Sequence, residues 1–310
     1  MIKMNQGIID IGSNTVRLNV YRIENQSFEL LFSKKASIGL VSYVKKRTLS
    51  QEGIQVLTHC LNQFISMMHA LQVHHYRAFA TASLRNLQNT DEVLSILKDK
   101  WNINVELLSG EQEGQYSFLG ATHHLHSQHG MYVDSGGASS EIVIYQNQSI
   151  QYVTSLPIGS LNLYNKYVSS ILPTKEEYKK MKEVCLKHLK STCQERKFFK
   201  TDTLAITGGS MRAIRTLLRS IHFIDEDDIE FSVNVLDNLE SYLFEDIDRA
   251  AHLILKVKPD RIHTLICGLA IIKTLAEYTK TKTIQVSLYG LREGYLIGKI
   301  MGGSYDKKEI

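Results

Sequence analysis

Residues 8–18 read IIDIGSNTVRL, an apolar run that contains Asp10, gives way to Gly12, Ser13, Asn14 and Thr15, and resumes at Val16 and Leu18. The pattern predicts a strand that ends in a tight turn, with a second strand returning through Val16 to Tyr21. Such a turn puts a carboxylate, short hydroxyls and free backbone N–H groups on one rim. Successive N–H groups make a nest for anions, while the aspartate attracts a cation. An ordinary hairpin turn without a ligand has the same pattern.

Beyond this hairpin the periodicity changes. A third strand is expected around Phe28 to Lys34. From Ser50, a helix N-cap candidate, apolar residues recur at helical spacing, and Leu57, Leu61, Phe64, Ile65 and Met68 share one face. HYRAFATASLRN predicts a short strand and a turn, Asn89 to Trp101 a helix, and NINVELLS another strand. Strands followed by alternating helix and strand define an α/β protein whose helices cover a sheet.

The opening pattern returns at residues 131–145, MYVDSGGASSEIVIY. A strand reaches Asp134, turns at Gly136 and Gly137 through Ser139, and comes back from Glu141 to Tyr145. Two Asp-x-Gly hairpins imply two related domains, each offering one phosphate loop to a cleft between them, and we expect them at 1–122 and 123–310, the last helix packing back on the first. Downstream, a polar helical stretch runs from Thr174 to Lys200. The segment LAITGGSMRAIRTLL then predicts a strand over Leu204 to Thr207 that meets Gly208, Gly209 and Ser210 before a helix. Glycines there allow close backbone approach, and the helix N-terminus favours an anion. A helix from about Arg261 to Lys280 and a strand from Ile284 to Leu288 precede YGLREGYLIGKI.

Composition narrows the class. With 310 residues, 43% of them apolar, the chain can bury two cores of ordinary size. No stretch approaches the roughly 20 apolar residues of a membrane span, and the first residues lack the pattern of a signal peptide, so no membrane role and a cytoplasmic location are expected. A net charge of +4 is mild, so no polyanion partner follows from it alone, and no nucleic acid partner is expected. Two basic clusters, Lys34, Lys35, Lys45, Lys46 and Arg47, then Lys187, Lys190, Arg196, Lys197 and Lys200, are either solvated faces or a track for a long anionic ligand. Cys60, Cys185, Cys193 and Cys267 lack metal-ligand spacing and read as structural thiols.

Taken in order, IIDIGSNTVRL, ATASLRNLQN, LLSGEQEGQYSFLGA, VDSGGASSEIVI, LPIGSLNL, ITGGSMRAI and SLYGLREGYL resemble the motif series of the exopolyphosphatase and guanosine pentaphosphate phosphatase family, from about residue 7 to 298. The resemblance implies two ribonuclease-H-like domains of the actin, hexokinase and Hsp70 superfamily, in the short form without a C-terminal helical domain. It also implies hydrolysis of a terminal phosphoanhydride, usually with Mg²⁺, by a homodimer. Glu113 matches the catalytic carboxylate and suits a general base for in-line attack by water, with Glu111 as its disfavoured rival. Asp134 and Glu141 match an acidic pair that would hold Mg²⁺, with Asp10 in support. Gly12, Ser13, Asn14, Thr15, Gly136, Gly137 and Ser139 would bind phosphate through backbone N–H groups. Gly208, Gly209 and Ser210 would line a third ligand-facing turn. Arg85 matches an arginine able to bridge two phosphate oxygens, or else forms a structural salt bridge. Gly290, Arg292, Glu293 and Gly294 would pack the last helix.

The chain departs from the family pattern at Ser135, Ala138 and Ser140 in the second loop, at Gln115, and along Lys34 to Thr48. Alanine at 138 requires a negative φ there. Three functional readings follow: exopolyphosphatase or pppGpp phosphohydrolase, a kinase or ATPase of the same fold, and a sensor that binds without turnover. The short form and the basic clusters favour polyphosphate as the substrate.

Overall fold

The computed structural model describes residues 3–25, 27–122, 125, 127–192 and 201–302. The chain divides into two compact units, Met1–Glu113 and Gly114–Ile310. The division falls inside a helix, ahead of the boundary expected at residue 122.

The first unit opens on three antiparallel strands, β1 (Lys3–Ile11), β2 (Thr15–Glu24) and β3 (Ser27–Ser37). A 3₁₀ turn and two short strands, β4 (Val44–Lys45) and β5 (Thr48–Leu49), lead to helix α1 (Gln51–Ala70). Ser50 caps α1, its side chain accepting from the Gly53 N–H at 3.2 Å, as the sequence predicts. Then come β6 (His75–Ala80), α2 (Ala82–Arg85), α3 (Thr90–Trp101), β7 (Val105–Leu107) and the start of α4 (Gly110–Ala121). The turn expected after β6 is thus a single helical turn. The sheet order is β3-β2-β1-β6-β7, with β6 and β7 parallel to their neighbours. Side chains alternate across the pleat, so Ile9, Ile11, Val16 and Leu18 join Leu57, Leu61, Phe64, Val93 and Leu97 in one core, while Asp10 and Arg17 take the opposite face.

In the second unit β8 (His129–Ser135), β9 (Ser140–Gln146) and β10 (Ser149–Leu156) repeat the antiparallel meander. Helices α5 (Ser160–Tyr167) and α6 (Lys175–Thr192) lead to β11 (Thr203–Thr207) and α7 (Gly209–Ser220). They are followed by β12 (Glu230–Ser232), α8 (Asn234–Glu245), α9 (Ile247–Val257), α10 (Leu265–Thr279), β13 (Thr283–Val286) and α11 (Leu291–Lys299). The order is β10-β9-β8-β11-β13-β12. Up to its extra edge strand β12, this is the arrangement of the first sheet, a three-strand meander continued by two parallel strands. Both units therefore have the ribonuclease-H-like topology expected. Cys193, Arg196, Lys197 and Lys200 lie outside the described residues. Helix α10 starts at Leu265 because a 3₁₀ turn at Pro259–Arg261 occupies the preceding residues.

Met131 and Val133 pack with α6, α7 and α10 on one face of the second sheet. Tyr132, Val143 and Tyr145 pack with Phe118 of α4 on the other. There α11 lies against α4 at near-backbone distance: a methyl at Gly294 would overlap the Tyr116 carbonyl, and one at Gly120 the Gly290 carbonyl. Gly290 and Gly294 thus pack the last helix as expected, within the second unit. Cys60, Cys185 and Cys267 are buried and unbridged. Burial pushes their thiols up, to about 11 for Cys60 and about 12 for the other two, which keeps them protonated.

Helix propensity alone predicts that Gly294→Ala stabilises α11 by up to about 1 kcal/mol. Overlap with a backbone carbonyl reverses the sign, and we expect a loss of about 1–3 kcal/mol in urea unfolding.

Candidate active site

The two hairpins share one geometry. In the first, the Gly12 amide donates to the Thr15 carbonyl at 3.0 Å; in the second, the Gly136 amide donates to the Ser139 carbonyl at 2.9 Å. Each closure sets an aspartate directly opposite the residue seven positions on, Asp10 against Arg17 and Asp134 against Glu141. A third strand extends each row. The first runs Asp10–Arg17–Lys35 and the second Asp134–Glu141–Ser155. The first row sets two cations beside its aspartate, whereas the second sets two carboxylates side by side.

Both loops are braced by their own unit. The carbonyls of Ser13 and Asn14 accept from the amides of Val41 and Gly39, each at 2.9 Å. In the second loop the Gly136 carbonyl accepts from the Ser160 amide at 3.1 Å, and the Gly137 carbonyl from Leu161 at 2.9 Å and Asn162 at 3.1 Å. These contacts tie the loop to the N-terminus of α5 and commit its carbonyls there. Gly159 makes the fit possible, since a methyl on it would overlap Gly137 and Ala138. Ala138 stays out of the left-handed region, as its identity requires. Ser139 is buried.

The third turn meets the second loop from below. Gly208 has φ +108°, open in practice to glycine, and touches the Ser135 backbone. Gly209 lies under the Arg261 guanidinium. The Ser210 side chain is buried against Gly268 of α10.

In the first unit the structure brings Glu113 and Arg85 together. Helix α4 begins with a capping box: the Gln112 amide donates to Ser109 Oγ at 3.1 Å and the Ser109 amide to Gln112 Oε1 at 2.9 Å. Glu113 follows in the first turn, only 5% exposed. Arg85 Nη1 donates to Glu113 Oε1 and, at 2.6 Å, to the Leu108 carbonyl. Arg85 is held in turn by α2, and Ser83 in that helix donates to the Ile11 carbonyl at 2.6 Å, which ties α2 to the end of β1. The arginine therefore fixes the carboxylate through one nitrogen. A guanidinium carries five N–H donors, and those on Nε and Nη2 bond to no described residue.

Two residues near Asp134 carry no signal in the sequence. Ser117 of α4, fully buried, donates to Asp134 Oδ2 and contacts the Tyr132 hydroxyl at 2.7 Å. Ser155 Oγ donates to Glu141 Oε1 at 2.8 Å. Burial, and then the Asp134 carboxylate, hold the Tyr132 phenol well above the ordinary tyrosine range despite opposing effects from Ser117 and Arg212, so it stays protonated.

The donor set fits Mg²⁺ in one specific way. Among the described residues no three His, Cys, Asp or Glu side chains converge on one point. Two adjacent carboxylates do suit this ion, which keeps several waters and is held by one or two carboxylates with substrate phosphates. A cavity of about 1380 Å³ between α6, α8 and α10, around Tyr178, Phe244 and Tyr278, contains none of these residues.

Two ribonuclease-H-like units, each led by an Asp-x-Gly hairpin, define the actin, hexokinase and Hsp70 class of fold. Within that class the chain belongs to the Ppx/GppA phosphatase family, whose sequence profile matches residues 19–301. It is 30% identical over 172 residues, 55% of its length, to a guanosine-5'-triphosphate,3'-diphosphate pyrophosphatase of Photobacterium profundum. A protein of the same description from Pseudoalteromonas atlantica is 21% identical over 300 residues, 94% of the chain. The matches span 35% and 58% of these relatives' own lengths. Among solved structures, the Aquifex aeolicus Ppx/GppA family member superposes with a TM-score of 0.80 at 25% identity, over 98% of this chain and 100% of that one. An exopolyphosphatase from Cytophaga hutchinsonii gives 0.85 at 21% identity, over 98% and 100%, a likeness of fold. No helix among the described residues is long and apolar enough to cross a membrane.

Ser135 is fully buried and its hydroxyl has no hydrogen-bond partner among the described residues. An unsatisfied buried hydroxyl costs about 1–3 kcal/mol, so Ser135→Ala is expected to raise stability by about 1 kcal/mol in denaturant titrations.

Proposed function

We propose that the protein is an exopolyphosphatase that removes the terminal phosphate of inorganic polyphosphate. The observation that carries the reading is the buried Glu113, pinned through one nitrogen of Arg85, whose Nε and Nη2 donors bond to no described residue. A carboxylate fixed in this way can orient a water and accept its proton as the water oxygen attacks the terminal phosphorus. The bond from phosphorus to the bridging oxygen breaks, and the shortened chain leaves as an oxyanion beside inorganic phosphate. Arg85, through Nε and Nη2, is suited to the equatorial oxygens on which charge develops. The amides of Gly12 to Thr15, of Gly136, Gly137 and Ser139, and of Gly208 to Ser210 would hold the phosphates. Mg²⁺ held by Asp134 and Glu141, with Asp10 in support, would neutralise charge on the anhydride oxygens. A homodimer in the cytoplasm completes this reading.

The names of the curated relatives favour a second substrate, pppGpp, cleaved by the same chemistry at its 5' end. Phosphate release with Mg²⁺ from long-chain polyphosphate and from pppGpp, measured side by side, separates the two. Release from polyphosphate supports the proposal, and release from pppGpp alone moves it to the alarmone. Binding of either without release replaces hydrolysis by a sensor function.

Glu113→Gln keeps the shape and removes the base, and should lower kcat by about 10²–10⁴ with KM little changed. Arg85→Lys keeps the charge but cannot both hold Glu113 and fork to a phosphate. It should lower kcat at least tenfold, read in the same assay.

A further inference from the structure

The pleat of β8 puts Tyr132 and Asp134 on one face, and the register of β9 puts Glu141 beside Asp134. Two carboxylates directly opposite one another repel, and each would swing away in the absence of a restraint. Ser155 restrains Glu141 and Ser117 restrains Asp134. The second belongs to a longer chain. A serine hydroxyl has one proton, and Ser117 gives it to the Asp134 carboxylate, which can only accept. The 2.7 Å contact between Ser117 and Tyr132 must then run the other way, with the tyrosine hydroxyl donating to Ser117 Oγ. The order Tyr132 to Ser117 to Asp134 is thus set by proton count. Ser117 is also fully buried and rides on α4, whose next residue Phe118 packs edge-on against the Tyr132 ring with centroids 5.8 Å apart. Its hydroxyl is therefore held from two sides and has no solvent to trade for.

We propose that Ser117, oriented by Tyr132, is a positioning residue for divalent cation binding. It fixes the Asp134 carboxylate so that Asp134 and Glu141 present a preformed oxygen pair. The inference rests on the function proposed above in one respect, the placing of a divalent cation at this pair. Partners of this kind, one bond removed from a metal ligand, typically contribute 10–100-fold in metal affinity.

The test is Mn²⁺ binding to the full-length protein without substrate, followed by the loss of the free-ion electron paramagnetic resonance signal. The wild type should bind Mn²⁺, and Ser117→Ala should weaken that binding on the order of tenfold. Tyr132→Phe should weaken it by a smaller factor, and Ser117→Ala/Tyr132→Phe should match Ser117→Ala alone, because the tyrosine acts only through the serine. In turnover, Ser117→Ala should raise the Mg²⁺ concentration for half-maximal rate while much of kcat at saturating Mg²⁺ survives, a split that general loosening of the fold would not produce. Unchanged Mn²⁺ affinity in Ser117→Ala overturns this inference and leaves the proposed hydrolysis standing. Absence of Mn²⁺ binding by the wild type overturns it together with the metal site. Should Ser117→Ala fail to fold by circular dichroism, Tyr132→Phe decides alone: weaker binding supports the relay and unchanged binding overturns it.

Discussion

A single backbone hydrogen bond closes each Asp-x-Gly turn, from a glycine amide to the carbonyl three residues on, and the chemistry of both hairpins depends on it. This closure sets the antiparallel register and so places residue i+7 across from the aspartate. What the fold does with that position is decided by residue identity. Arginine at 17 and lysine at 35 give the first row its positive charge, while glutamate at 141 and serine at 155 leave the second row anionic and hydrogen-bonded. One backbone geometry, used twice, therefore yields one row of mixed charge and one that is anionic.

Holding these loops open to a ligand requires their carbonyls to be occupied elsewhere. In the second unit α5 does this through three consecutive amides, which is possible because Gly159 lets two backbones touch. Gly208 performs a similar service for the third turn against Ser135. These glycines matter through close approach, and at Gly208 also through its φ of +108°. The same economy of space recurs where α11 meets α4, so the helix that carries Ser117 and Phe118 is held by contacts that a single methyl would disrupt.

Much of this was legible in the residues. The apolar-to-polar breaks at Asp10 and Asp134 located both hairpins, since strand period and turn chemistry are local properties. Ser50 announced α1, and the GGS turn announced α7. Less was visible where packing outweighs local preference. ATASLRN turns helical because Arg85 and Ser83 are bonded to distant backbone, and Ser210 turns inward because Gly268 leaves room for it. Helices α8 and α9 fill the long connection before α10, for which the motifs predict no element.

The sequence by itself determined the two hairpins, the acidic and basic residues they carry, the family and the glycines at the turns, because each depends on neighbours within a few positions along the chain. Only the tertiary structure decided the pairing of Arg85 with Glu113, the serine on each carboxylate, and the direction of the Tyr132 to Ser117 to Asp134 relay. Those contacts join residues 14 to 28 positions apart. Nothing in local periodicity encodes them, since they come into being only when sheet register and helix packing bring the partners within hydrogen-bond reach.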